Sequence, residues 1–150
     1  MRGPRYSYRS TGKEGTRALL KKLPHPRNQM MCSISGLPRA DRWDVFKRIV
    51  SFAKSKGTDP EDIAVVVPNL SRKRNKSLYV KYGADADDIG TLVNKTYVLV
   101  DRAERLNYQQ HDRLMAIPAQ VVLSFSSMEH AVPIEHRLGI RKCIRCSPKK

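Results

Sequence analysis

Three runs of apolar and largely β-branched residues limit what this chain can fold into more than any other feature. They are IAVVV at 63–67, TYVLVD at 96–101 and AQVVLSF at 119–125. Each is short and bounded by turn-forming residues, so each reads as a buried strand. A further segment, 78–82, alternates Leu78, Val80 and Tyr82 against Tyr79 and Lys81, the period of a half-buried strand.

Helical patterns precede and separate these runs. In DRWDVFKRIVSFAKSKG (41–57), Trp43, Phe46, Ile49, Val50 and Ala53 fall on one helical face. Asp41 stands at the capping position with Asp44 three residues on, Lys54 and Lys56 occupy the last turn, and Gly57 ends it. That face makes Trp43 a core residue rather than a platform for stacking bases. Gly83, a cap at Asp85 and a short helix through Val93 follow. RAERLNYQQHDRLM (102–115) fits a second amphipathic helix, with Ala103, Leu106, Gln110 and Leu114 on one side. The order α-β-β-α-β-α-β predicts an α+β fold: a small mixed sheet of about four strands, two to three packed helices, and extended basic N- and C-terminal tails.

The boundaries come from composition. Residues 1–38 hold four prolines and four glycines, and only TRALLKKL (16–23) has helical character, so this stretch reads as a basic extended arm. Residues 39–128 form the α+β domain, and 129–150 a basic C-terminal tail carrying a CxxC. The arm is also Arg-rich and acid-poor, a composition shared by mitochondrial transit peptides and nucleic-acid-binding arms. No apolar run approaches the length of a membrane span.

Charge speaks to partners. Twenty-nine Lys and Arg against fourteen Asp and Glu leave a net charge of +15, which points to a polyanion. Residues 1–40 carry nine basic residues against one acid and residues 133–150 six against one, whereas 41–132 are almost balanced at fourteen against twelve. The expected phosphate contacts are therefore Arg2, Arg5, Arg9, Arg17, Lys21 and Lys22 in the arm and Arg141, Lys142 and Arg145 in the tail. Between two expected strands, the loop SRKRNK adds Arg72, Lys73, Arg74 and Lys76, with Tyr79 and Tyr82 beyond it as possible stacking groups. The same loop also fits a solvated turn or a nuclear localisation tract.

Cys143 and Cys146 have the spacing of a zinc knuckle, and His130 and His136 upstream would complete four ligands, with Cys32 an alternative third. A plain basic tail is the competing reading. A redox pair would need a strand-to-helix junction that the surrounding residues do not offer. The acids Asp85, Asp87, Asp88, Asp59, Glu61 and Asp62 precede apparent helices, where carboxylates cap and offset the helix dipole, so they read as structural rather than as magnesium ligands. No nucleophile motif and no Gly-rich phosphate loop is present, which argues against an enzyme. These features together predict a structural RNA-binding component of a large ribonucleoprotein, ribosomal or organellar-ribosomal, contacting rRNA and neighbouring proteins in the mitochondrion or cytoplasm, with no membrane and no small-molecule substrate. The alternative is a small viral or regulatory nucleic-acid-binding protein, placed in the nucleus and built around a C-terminal zinc knuckle.

Overall fold

The computed structural model describes residues 5–8, 31–36, 39–68, 78 and 81–146, with backbone alone at 5–8, 39–41, 142 and 146. The strands are β1 (Arg5–Tyr8), β2 (Met31–Ser35), β3 (Ile63–Val67), β4 (Gly83–Asp85), β5 (Tyr97–Val100), β6 (Gln120–Phe125) and β7 (Lys142–Cys146). They form one seven-stranded sheet in the order β1-β7-β2-β6-β5-β3-β4. Every pairing is parallel. The helices are α1 (Arg39–Ser55), α2 (Tyr108–Met115) and α3 (Met128–Leu138), with 3-10 turns at Pro60–Asp62, Ala86–Thr91 and Ala103–Arg105.

This is an α/β fold of the doubly wound, Rossmann-like type, not the small mixed α+β sheet expected from the sequence. Part of the signal was legible. Residues 63–67, 97–100 and 120–125 are buried throughout their strands, because parallel sheets are covered on both faces and their strands read as continuous apolar runs. What misled was polarity. β2 carries Ser33 and Ser35 and β7 carries Arg145, so neither reads as a core strand, yet β2 sits near the middle of the sheet with β7 beside it. The segments expected as arm (1–38) and tail (129–150) thus supply β2, α3 and β7. Leu78, Lys81 and Tyr82, expected in a strand, are helical. Residues 102–115, expected as one helix, split into a 3-10 turn and α2 at Asn107, whose side chain and Gln110 form a reciprocal capping box.

Each crossover between parallel strands must pass over one face of the sheet, and right-handed crossovers put opposite directions of travel on opposite faces. Accordingly α1, which leads from β2 across to β3, packs through Val45, Phe46, Ile49 and Ala53 on a face lined by Cys32, Ile34, Val65, Leu99 and Val122. Trp43 packs on this cluster, edge-on to Phe46 with centroids 5.8 Å apart, as its helical face predicted. The other face, lined by Val66, Val98, Val100, Val121 and Leu123, is covered by α2, α3 and the 3-10 turns at Ala86–Thr91 and Ala103–Arg105.

Candidate functional site

From β2 the chain crosses toward β3, and from β6, the neighbour of β2, it crosses the other way to β7. Diverging connections open a crevice at the carboxyl ends of these strands, which is where open α/β sheets bind ligands. Four features meet there: Gly36 at φ 92, the first turns of α1, the end of β5 at Asp101, and Ser124 near the end of β6.

Asp101 follows the last residue of β5 and is 1% exposed. Its backbone N–H donates to the Val66 carbonyl at 3.0 Å, which extends the ladder and pins the carboxylate at the strand end. Arg42, also buried, reaches down from α1 so that its Nε donates to Asp101 Oδ1 at 3.0 Å. Arg102 stands on the other side with Nε 3.3 Å from Asp101 Oδ2. Its backbone is left-handed, at φ 47 and ψ 60, a conformation that costs a non-glycine residue about 1–2 kcal/mol and turns the chain sharply into the next 3-10 turn. Sustained strain of this kind gathers at sites where the surroundings over-determine the backbone. Ser124, paired in register with Ile34 of β2, is buried near the end of β6, and among the described residues its Oγ has no hydrogen-bond partner. Beyond it, Glu104 accepts from the Ser126 hydroxyl and backbone N–H, tying the start of the β5–α2 connection to the end of β6.

The strand-end carboxylate is thus taken by the chain's own cation. A strand-end Asp in nucleotide-hydrolysing proteins holds Mg²⁺ next to a Gly-rich loop whose Lys and backbone N–H groups cradle phosphates. Here the β2–α1 connection reads Gly36-Leu37-Pro38-Arg39-Ala40-Asp41-Arg42, without that loop or its Lys. A buried guanidinium takes the carboxylate instead. Sequence reasoning missed this pair. The signal was present in the acid that ends TYVLVD, but its partner lies 59 residues away.

A second buried polar group lies on the opposite face. Arg145 of β7 makes two charge-assisted bonds to Glu135 of α3, at 2.6 and 2.5 Å, and a third to Ser35 Oγ at 3.1 Å. Ser33 Oγ also donates to Glu135. Burial pushes the Glu135 carboxyl up, but the Arg145 and Ser33 hydrogen bonds outweigh it and hold the group below the usual carboxylate range. Arg145, expected on RNA phosphate, is therefore spent internally, its side chain 11% exposed. Of the other expected phosphate contacts, Arg141 is exposed at the start of β7. Arg5 and Lys142 are placed by backbone in β1 and β7. Arg2, Arg9, Arg17, Lys21, Lys22, Arg72, Lys73, Arg74 and Lys76 lie outside the described residues.

The expected zinc ligands do not assemble. Cys143 and Cys146 are both in the extended strand β7, where residues three apart are separated by about 10 Å, too far for the turn that a knuckle needs. Cys143 is buried on the α3 side, its Sγ donating to the Ile140 carbonyl at 3.5 Å. Cys32 is buried on the α1 side, so the sheet stands between them. His130 and His136 are exposed on α3, with His130 Nδ1 2.7 Å from the capping hydroxyl of Ser127. Among the described residues no three His, Cys, Asp or Glu side chains are grouped to hold a metal. Asp85 acts as the cap that its position predicted, accepting from the Asp87 N–H.

No family model and no curated protein matches this chain. Among solved structures it is similar to a DNA polymerase III gamma subunit-related protein of Thermotoga maritima, at 15% identity and a TM-score of 0.54. The likeness covers 87% of this chain and 43% of that one, so the chain spans less than half the length of its structural neighbour. What the two share is the fold. That architecture overturns the ribosomal expectation, which rested on a small core with free basic tails, and the zinc-knuckle alternative falls with the geometry of β7.

Proposed function

We propose that this chain is a nucleic-acid-binding α/β domain that carries out no nucleotide chemistry of its own and acts on DNA. The observation that carries this reading is the buried Arg42–Asp101 pair, in which an internal cation takes the strand-end carboxylate. A charge of +15 supports a polyanionic partner. The structural neighbour, described as related to a DNA polymerase subunit, supports DNA over RNA as that partner. Among the described residues no helix is long and apolar enough to cross a membrane.

The test has two arms. Calorimetric titration with Mg·ATP should give no heat of binding. Fluorescence anisotropy with a labelled DNA duplex should give binding whose affinity falls steeply and log-linearly with salt. ATP hydrolysis that co-purifies with the protein and disappears in Asp101→Asn would overturn the non-catalytic half. Absence of DNA binding at 50 mM salt, about the low end of the range where backbone contacts dominate, would overturn the other half.

A further inference from the structure

Resting on that reading, we infer that duplex DNA lies across the α1 face of the sheet, with its backbone held by Lys47, Lys54 and Lys56 and by Lys81 near the end of the β3–β4 connection. All four lysines are exposed. Among the described residues none forms an ion pair with a carboxylate, although Lys56 and Lys81 each stand 5.6 Å from the ring centroid of a neighbouring aromatic, Phe52 and Tyr82. Lys47 and Lys54 are seven residues apart on α1, so they project from the same side about 10.5 Å apart along the helix, close to three base-pair steps of about 3.4 Å. Asp44 is paired with Arg48 at 3.1 Å, four residues on.

Leu78 and Tyr82, which flank Lys81 in the sequence, are buried in the α1-side cluster. The opposite layer mixes its signs: Asp87, Asp88, Asp112 and Glu129 are exposed there among Arg105, Arg113 and Arg137. A polyanion therefore meets mixed signs on the opposite layer, and on α1 the exposed ammonium groups of Lys47 and Lys54. Lysines without fixed partners also suit a backbone contact that reads no sequence, because each acts as a mobile point charge.

The experiment compares charge-matched variants of the full chain on one labelled DNA duplex across a salt series. One variant is Lys47→Glu/Lys54→Glu/Lys56→Glu; the control, of equal charge change, is Arg105→Glu/Arg113→Glu/Arg137→Glu. A third variant, Lys47→Gln/Lys54→Gln/Lys56→Gln, guards against loss of folding by reversal, and thermal unfolding checks all three. The α1 reversal should weaken binding about tenfold or more, and the Gln variant should lower the salt slope by about three, one for each lost phosphate contact. The control should stay within about twofold of the parent. Equal losses in both reversals, or stronger binding of the parent to anionic phosphatidylserine vesicles than to DNA, would overturn the assignment of this face. A parent protein that fails to bind DNA at all would instead sink the function proposed above, so the two failures are distinct.

Discussion

Arg42 and Asp101 show what a single buried pair can do. Both side chains are removed from water, at 8% and 2% exposed, and Arg102 adds a second cation 3.3 Å from Asp101 Oδ2. Removing one partner of such a pair typically costs about 3–5 kcal/mol, because the other is left desolvated and uncompensated. Arg42→Met should therefore shift the urea midpoint strongly downward, while Arg42→Met combined with Asp101→Leu should recover part of the loss, the remainder reflecting Arg102 left without its carboxylate. Equal destabilisation in single and double variants would mean that the pair is not the source. Two other residues set the response to acid. His111 is 1% exposed, with Nε2 2.8 Å from the Ala103 carbonyl; that contact requires the proton on Nε2, and burial holds the imidazole below its ordinary value. Glu135 is held low despite burial, by Arg145 and Ser33. In both cases the folded state binds protons less readily than the unfolded one, so stability rises with pH across the interval between the two values. The contribution of His111 is present above about 6.5 and is lost as pH falls through its folded value. That of Glu135 is present above about 4.5, the ordinary value of a glutamate carboxyl, and is lost lower still. Glu135→Gln should flatten the lower limb of a stability-against-pH curve and leave the His111 limb in place, as chemical unfolding between about pH 3 and 8 would record.

At the scale of elements, α3 and β7 form one unit. α3 is started by Ser127, whose hydroxyl accepts from the His130 N–H, and stopped by Gly139 at φ 68. The left-handed turn brings the Ile140 N–H back to the Glu135 carbonyl at 2.9 Å, and within a few residues the chain enters β7 beside β2. A Cβ on Gly139 would meet nothing within 4 Å, so the cost of Gly139→Ala is purely conformational. It should destabilise by about 1 kcal/mol, and a larger loss in a urea titration would point to packing that the geometry does not contain. Once β7 is in place, Arg145 reaches Glu135 on α3 and Ser35 on β2 together, which favours the observed register because a slip of one residue would turn Arg145 to the other face. The sequence carried no warning of this. CIRC reads as a metal or tail motif because its basic residue looks solvated, and only the Glu135 carboxylate makes its burial tolerable.

On the scale of the whole molecule, segments that look peripheral are central. Residues 129–150 contain β7, which pairs with both β1 and β2. Ending the chain at residue 128 should abolish cooperative unfolding and leave an insoluble product, whereas a dispensable tail would leave the unfolding transition unchanged; circular dichroism on the truncated chain separates the two. The sequence by itself determined the three apolar strands at 63–67, 97–100 and 120–125, the amphipathic α1 with its Trp43 face, the caps at Asp85 and Gly57, and the excess of positive charge. Each of these depends on local periodicity, on backbone geometry or on simple counting. Tertiary structure alone decided that the sheet is parallel, that two polar segments complete it, and that Asp101 and Glu135 find Arg42 and Arg145 across 59 and 10 residues respectively. The physical reason is the same in each case: a polar residue reads as exposed until the group that neutralises it is known, and that group is chosen by the crossover of the chain, not by its neighbours in sequence.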